Sequence, residues 1–167
     1  MITFIENFYN TQQLYEVVKN LQFKERVYGE EVIDFNLVPQ DLHTIFGSIL
    51  RQDVSITKDS GVLRKPFENV HFESFNQNSL WIAVVALEQT TFKLHKHKEK
   101  NYSKVMDVQG DLQGFIKDNC FDKEKWSDTA TITMNAGDLI LFKPWLWHSI
   151  SKSLVKVFYL EANGDKV

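Results

Sequence analysis

The residues best suited to chemistry are histidines, which stand at positions 43, 71, 95, 97 and 148. His71 and Glu73 lie two apart in Asn69-Val70-His71-Phe72-Glu73-Ser74, a stretch that reads as a strand end. Alternate residues of a strand share a face, so both side chains project the same way. His148 closes a longer stretch, Ala136-Gly137-Asp138-Leu139-Ile140-Leu141-Phe142-Lys143-Pro144-Trp145-Leu146-Trp147-His148-Ser149, in which one turn opens an apolar strand and a second delivers the histidine. Either histidine alone is more commonly a surface or core residue. Two imidazoles and a carboxylate on one face, however, make the facial triad of a non-haem iron(II) site, which leaves three octahedral positions open.

The other candidates carry plainer readings. His95 and His97 share a strand face and could join Glu99 in a second cluster, but Lys93-Leu94-His95-Lys96-His97-Lys98-Glu99-Lys100 is so highly charged that a solvated strand end is favoured. Trp145 and Trp147 have the spacing of core aromatics. Cys120 is the single cysteine, which excludes an intrachain disulfide framework and a zinc site built on cysteines. No activating base stands beside it in sequence, so it reads as an inert thiol.

The elements that must position these residues change character near the middle of the chain. Leu14, Val17, Val18 and Leu21 fall at helical spacing after a capping Thr11, predicting an amphipathic helix over Thr11 to Gln22. Leu42, Ile45, Phe46 and Ile49 predict a second from about Gln40 to Leu50. Beyond Asp53 come about eight segments rich in Val, Ile, Phe, Thr and Trp: Val54–Thr57, Val70–Phe72, Leu80–Glu88, Thr90–His95, Ala130–Met134, Asp138–Lys143, Trp147–Ser151 and Leu154–Glu161. Their connections are mostly too short for crossover helices, so antiparallel pairing into a sandwich or barrel is expected. One domain spans 1–167, with 1–52 a helical support and 53–167 a β core. Its insertion at 98–128 is expected to hold a short helix around Asp111–Asn119 and to lie where long loops often cover a site.

These motifs resemble the iron(II)- and 2-oxoglutarate-dependent oxygenases. Val70-His71-Phe72-Glu73-Ser74 resembles their His-x-Asp/Glu motif, with Glu in place of the commoner Asp, and Gly137-Asp138 through His148-Ser149 resembles their distal-histidine segment. The opening Phe4-Ile5-Glu6-Asn7-Phe8-Tyr9 and the strand Trp81–Glu88 are similar to their counterparts, while Gln89-Thr90-Thr91 replaces a Gly-Gly-Thr turn. The resemblance implies a mainly β fold with N-terminal helices, a double-stranded β-helix of the jelly-roll or cupin-like kind. It also implies Fe(II) on His71, Glu73 and His148, with 2-oxoglutarate as co-substrate of a dioxygenase. Family members hold the far carboxylate of 2-oxoglutarate with an arginine, or a lysine, after the distal histidine. The last arginine here is Arg64, so Lys156 is the favoured substitute and Lys152 the next, with Lys93, on an earlier strand, another because some relatives place their lysine there.

Composition narrows the classes further. The chain has 167 residues, 43% hydrophobic and 25% charged, and its 19 basic against 22 acidic residues give a net charge of -3. That balance argues against nucleic acid as partner. No apolar run approaches a bilayer span and the first residues lack a leader pattern, so the expectation is a cytoplasmic protein acting on a small molecule or peptide, without a membrane. Exposed strand edges of such a sheet would favour a homodimer. Two alternatives stand beside the oxygenase: a metal-binding cupin, for which His95-x-His97 and the Gly137–His148 segment with Pro144 are the matching features, and a binding protein that keeps the fold without the chemistry.

Overall fold

The structure is a computed structural model that describes residues 2–10, 12, 14, 24–25, 31–33, 42–64, 68–73, 80–151 and 153–162. Among these, two antiparallel sheets face one another. Strands β1 (Ile2–Ile5), β2 (Lys24–Glu25), β3 (Glu31–Ile33), β4 (Val54–Arg64), β5 (Leu80–Ala86), β8 (Leu139–Phe142) and β10 (Leu154–Ala162) form the larger sheet, in the order β1-β8-β5-β10-β4-β3-β2. Strands β6 (Thr90–His97), β7 (Trp126–Met134) and β9 (His148–Ile150) form the smaller, in the order β7-β6-β9. This is the double-stranded β-helix expected from the sequence, with the chain passing between sheets from β5 to β6 and at each step from β7 to β10, so that hydrophobic faces meet.

Strand alternation sorts the core into two layers. Ile82, Val84 and Ala86 of β5, Ile140 and Phe142 of β8, and Val155 and Val157 of β10 pack with Phe92 and Ile150 between the sheets. The intervening Ala83, Val85, Leu139, Leu141, Leu154, Phe158 and Leu160 form the opposite face of the larger sheet, against Leu14, Leu42 and Phe46. Leu42 and Phe46 belong to α1 (Leu42–Leu50), whose stripe is the one the sequence predicts. Burying each such side chain contributes about 1.5 to 3 kcal/mol, which is why β5, β8 and β10, covered on both faces, read as near-continuous apolar runs.

Gln12 and Leu14 are helical, and the Asn10 side chain accepts from the Gln12 amide at 2.9 Å, as a capping residue does. Most of the segment predicted over Thr11 to Gln22 lies outside the described residues. Strand β1, not predicted, adds to the sheet through β8, and β4 runs on to Arg64, well beyond Thr57. Val70–Phe72 is not a strand but a single antiparallel bridge between His71 and His148. The insertion carries α2 (Leu112–Asn119), capped by the Asp111 carboxylate on the Gly114 amide. No helix among the described residues is long and apolar enough to cross a membrane.

The turn into β8 is fixed by two polar devices. Asp138, buried, accepts from the amides of Asn7 and Asn135 at 2.9 and 2.8 Å, tying the N-terminal segment to the turn. Gly137 sits at φ +97°, and a Cβ there would collide with the Tyr9 carbonyl. The same turn sets the register of β8, which places Phe142 beneath the site described next.

Candidate metal centre

His71 and His148 are brought together by their own backbones. Each donates its amide to the other's carbonyl at 2.9 Å, and the Glu73 amide donates to the Pro144 carbonyl at 2.7 Å. This pairing holds the His71–Glu73 stretch beside the start of β9, with the two imidazole rings 4.3 Å apart between centroids. The Glu73 Oε1 atom lies 3.2 Å from His71 Nε2 and 3.4 Å from His148 Nε2. Ligand atoms of all three residues fall within 4.8 Å of one another, the one such cluster of potential metal ligands among the described residues.

The tautomers follow from the partners. His71 Nδ1 lies 2.9 Å from the Asn69 carbonyl, and His148 Nδ1 lies 2.8 Å from the Leu146 carbonyl. A carbonyl only accepts, so both protons sit on Nδ1 and both Nε2 lone pairs point into the site. Those two Nε2 atoms are buried and have no hydrogen-bond partner. Burial by itself would raise the Glu73 carboxyl, but either imidazole, whenever it carries a proton on Nε2, hydrogen-bonds and attracts the carboxylate, and this outweighs burial and holds Glu73 well below the usual carboxylate range. Burial, and then the neighbouring His71, push His148 below the ordinary histidine value.

Two imidazole lone pairs and a carboxylate oxygen therefore converge with no proton to share among them. A cation is what such a donor set lacks. Cis ligands on bonds of about 2.1 Å stand about 3 Å apart, close to the 3.2 and 3.4 Å separations found here. Anchoring each ligating histidine through its other nitrogen is the usual way proteins fix ring orientation at a metal. His148 is fully buried, packed against Phe142 at 4.6 Å and nearly parallel to Phe92 at 5.9 Å, whereas His71 and Glu73 are partly exposed. The centre is thus dry beneath and open on the side of His71 and Glu73.

Two of the three lysines expected to hold the far carboxylate of a co-substrate, Lys156 and Lys93, lie elsewhere. Lys156 is fully buried, but it alternates with Val155 and Val157 and so shares the helix-side face of β10 with Phe158, whose ring is 5.1 Å from its Nζ. The inward position two residues beyond Val157 is occupied by Tyr159, packed against the inter-sheet core. Lys93 alternates with the inward Phe92 and reaches Asp128 at 3.1 Å on the outer face of the smaller sheet. Lys152 lies outside the described residues. Counting positions from His148 could identify lysines of suitable reach, but the side each takes depends on strand register.

Among the described residues His95 and His97 join no second metal cluster, and they do not make a solvated strand end. Both are buried. His97 Nε2 meets the Asn119 side chain at 2.8 Å while its Nδ1 accepts from the amides of Glu99 and Lys100. His95 turns instead to Ser149 and Asp128, neither of which stands out in the sequence. Trp147 is fully buried and Trp145 nearly so, as core aromatics. Cys120 is buried, and burial pushes its thiol up to about 12.

No protein-family model matches the chain, and no curated protein sequence does. Solved structures do share its fold. HygX from Streptomyces hygroscopicus, with nickel and 2-oxoglutarate bound, superposes with a TM-score of 0.62 at 9% identity, over 98% of this chain and 83% of that one. The non-haem α-ketoglutarate-dependent epimerase SnoN of nogalamycin biosynthesis gives 0.57 at 10% identity, over 96% and 78%. The carbocyclase SnoK of the same pathway, likewise α-ketoglutarate-dependent, gives 0.56 at 12%, over 96% and 79%. The chain therefore has the double-stranded β-helix fold found in these non-haem, 2-oxoglutarate-dependent enzymes.

Proposed function

We propose that the protein is a non-haem iron(II)- and 2-oxoglutarate-dependent oxygenase, with His71, Glu73 and His148 as metal ligands and a small molecule or peptide as substrate. The observation that carries this reading is the convergence of two partnerless Nε2 lone pairs and one carboxylate oxygen at cis-ligand spacing. The fold shared with HygX, SnoN and SnoK supports it. Iron bound there would supply dioxygen and hydrogen-abstraction chemistry. The chain's own share is to present the ligands on one face, to orient both rings through the Asn69 and Leu146 carbonyls, and to keep water from beneath the site with Phe92 and Phe142.

Lys156 and Lys93 do not fit the far carboxylate of 2-oxoglutarate, since they occupy outward faces of their strands. That placement favours, as the second reading, a metal-binding protein of this fold that does not turn 2-oxoglutarate over. Anaerobic titration with Fe(II) and then 2-oxoglutarate separates the two through the visible metal-to-ligand charge-transfer band. A band in the wild type that disappears in His71→Ala is expected of the oxygenase. Iron binding without a band would leave the second reading, and no iron binding would refute both.

A further inference from the structure

The outer face of the smaller sheet holds a second group of chemically competent side chains, separate from the metal ligands. Partners in an antiparallel ladder share a face. The register sets Lys93 opposite Ser149 between β6 and β9, and His95 opposite Asp128 between β6 and β7, just past an irregularity after Leu94. His95 Nε2 lies 2.7 Å from Ser149 Oγ and its Nδ1 lies 3.1 Å from Asp128 Oδ1. Lys93 Nζ is 3.1 Å from the other Asp128 oxygen. These four residues line a cavity of about 730 Å³, with the hydroxyls of Thr131 and Thr133 beside them and the edge of the 98–128 insertion as a wall.

We propose that Ser149, His95 and Asp128 form a nucleophilic serine centre that cleaves small polar carboxylic esters, with Lys93 facing the developing oxyanion. Such centres are recognised by geometry and role rather than by chain order. Here one imidazole has a hydroxyl on one nitrogen and a carboxylate on the other. His95 Nδ1 is at ion-pair distance from Asp128 without the alignment of a hydrogen bond, and unliganded sites commonly hold such bonds loosely until substrate seats. Burial lowers His95 to about 4 against the opposing pull of Asp128, so the imidazole is neutral near pH 7.

In the reaction, Ser149 Oγ bonds to the ester carbonyl carbon while its proton passes to His95 Nε2 and the carbonyl electron pair moves onto oxygen beside Lys93. Collapse breaks the carbon–alkoxy bond, and the departing alkoxide takes the proton from His95. Water then attacks the acyl-serine, giving its proton to His95. Collapse releases the carboxylic acid and returns the proton to Ser149. The triad needs no metal.

The test uses the full chain in EDTA, with a fluorophosphonate probe for covalent capture and p-nitrophenyl acetate for turnover, and circular dichroism to verify folding. The expected result is a single adduct on Ser149 by peptide mass spectrometry, absent in Ser149→Ala. Labelling should slow by about 100-fold or more in His95→Gln and in Asp128→Asn. Asp128 is 43% exposed, so its variant keeps the test intact if His95→Gln fails to fold. No adduct on folded wild type, an adduct on another residue, an unchanged rate in Asp128→Asn, or turnover abolished by EDTA would overturn the proposal.

Discussion

Nickel, an air-stable stand-in for iron at such a site, should raise the thermal stability of the wild-type protein and not of His71→Ala. A ligand at 100 times its dissociation constant stabilises the fold by about 2.7 kcal/mol. For 167 residues, an unfolding entropy of about 2.1 cal/mol/K per residue amounts to about 0.35 kcal/mol/K, so the melting temperature should rise by about 8 °C. Removing one of three donors weakens binding by at least the factor of about 100 seen when supporting residues of metal sites are lost. The same nickel concentration then stabilises by about 0.4 kcal/mol, a rise of about 1 °C. His71 is the residue to replace because its side chain is 26% exposed, whereas replacing the fully buried His148 would open a core cavity as well. Differential scanning calorimetry with and without nickel reads both numbers. An 8 °C rise that persists in His71→Ala would place the metal elsewhere and refute the triad.

Lys156→Met should leave the Fe(II)-plus-2-oxoglutarate titration unchanged, because Lys156 faces Phe158 and not the barrel interior; a lost band would return the lysine to the co-substrate. Gly137→Ala should destabilise by about 3 kcal/mol, combining the cost of a left-handed residue with loss of the hydrogen bond from Tyr9, and lower the melting temperature by about 9 °C. His95, held near 4 by burial, favours the neutral ring. Its contribution to stability is complete above the unfolded value of about 6.5, and about 3 kcal/mol is lost as pH falls from there through 4. An NMR titration of the His95 ring should give a midpoint near 4, and a midpoint above 6 would contradict the burial. Cys120, with its thiol pushed up to about 12, should react with a disulfide reagent at pH 8 at least about 1,000-fold more slowly than in the unfolded chain.

The two sites are on opposite sides of the same thin sheet. His148 points inward to the metal centre, and Ser149, the next residue, points outward to His95. Successive residues of a strand have opposite faces, so one three-residue strand, β9, serves both. Trp126, Phe115 and Cys120 of the insertion pack with Trp147 in the cluster that also holds Val70 and Phe72.

Sequence reading by itself identified what depends on local pattern. Apolar periodicity marked α1 and most of the strands, and the two-residue spacing of His71 and Glu73, with a histidine delivered after an apolar strand, marked the candidate ligands. These signals are legible because helix and strand repeats are properties of a few consecutive residues. Side of sheet and partner across a ladder are not. Lys156 and Lys93 were placed by counting, yet β10 and β6 turn them away from the interior because Val157 and Phe92 take the inward positions. His95 lies in a lysine-rich run that looks solvated, yet tertiary packing buries it against Ser149 and Asp128, residues 54 and 33 positions further on. Only the tertiary structure decided these points, since a one-residue change of register reverses every face, and pairing over such separations is set by how the sheets assemble.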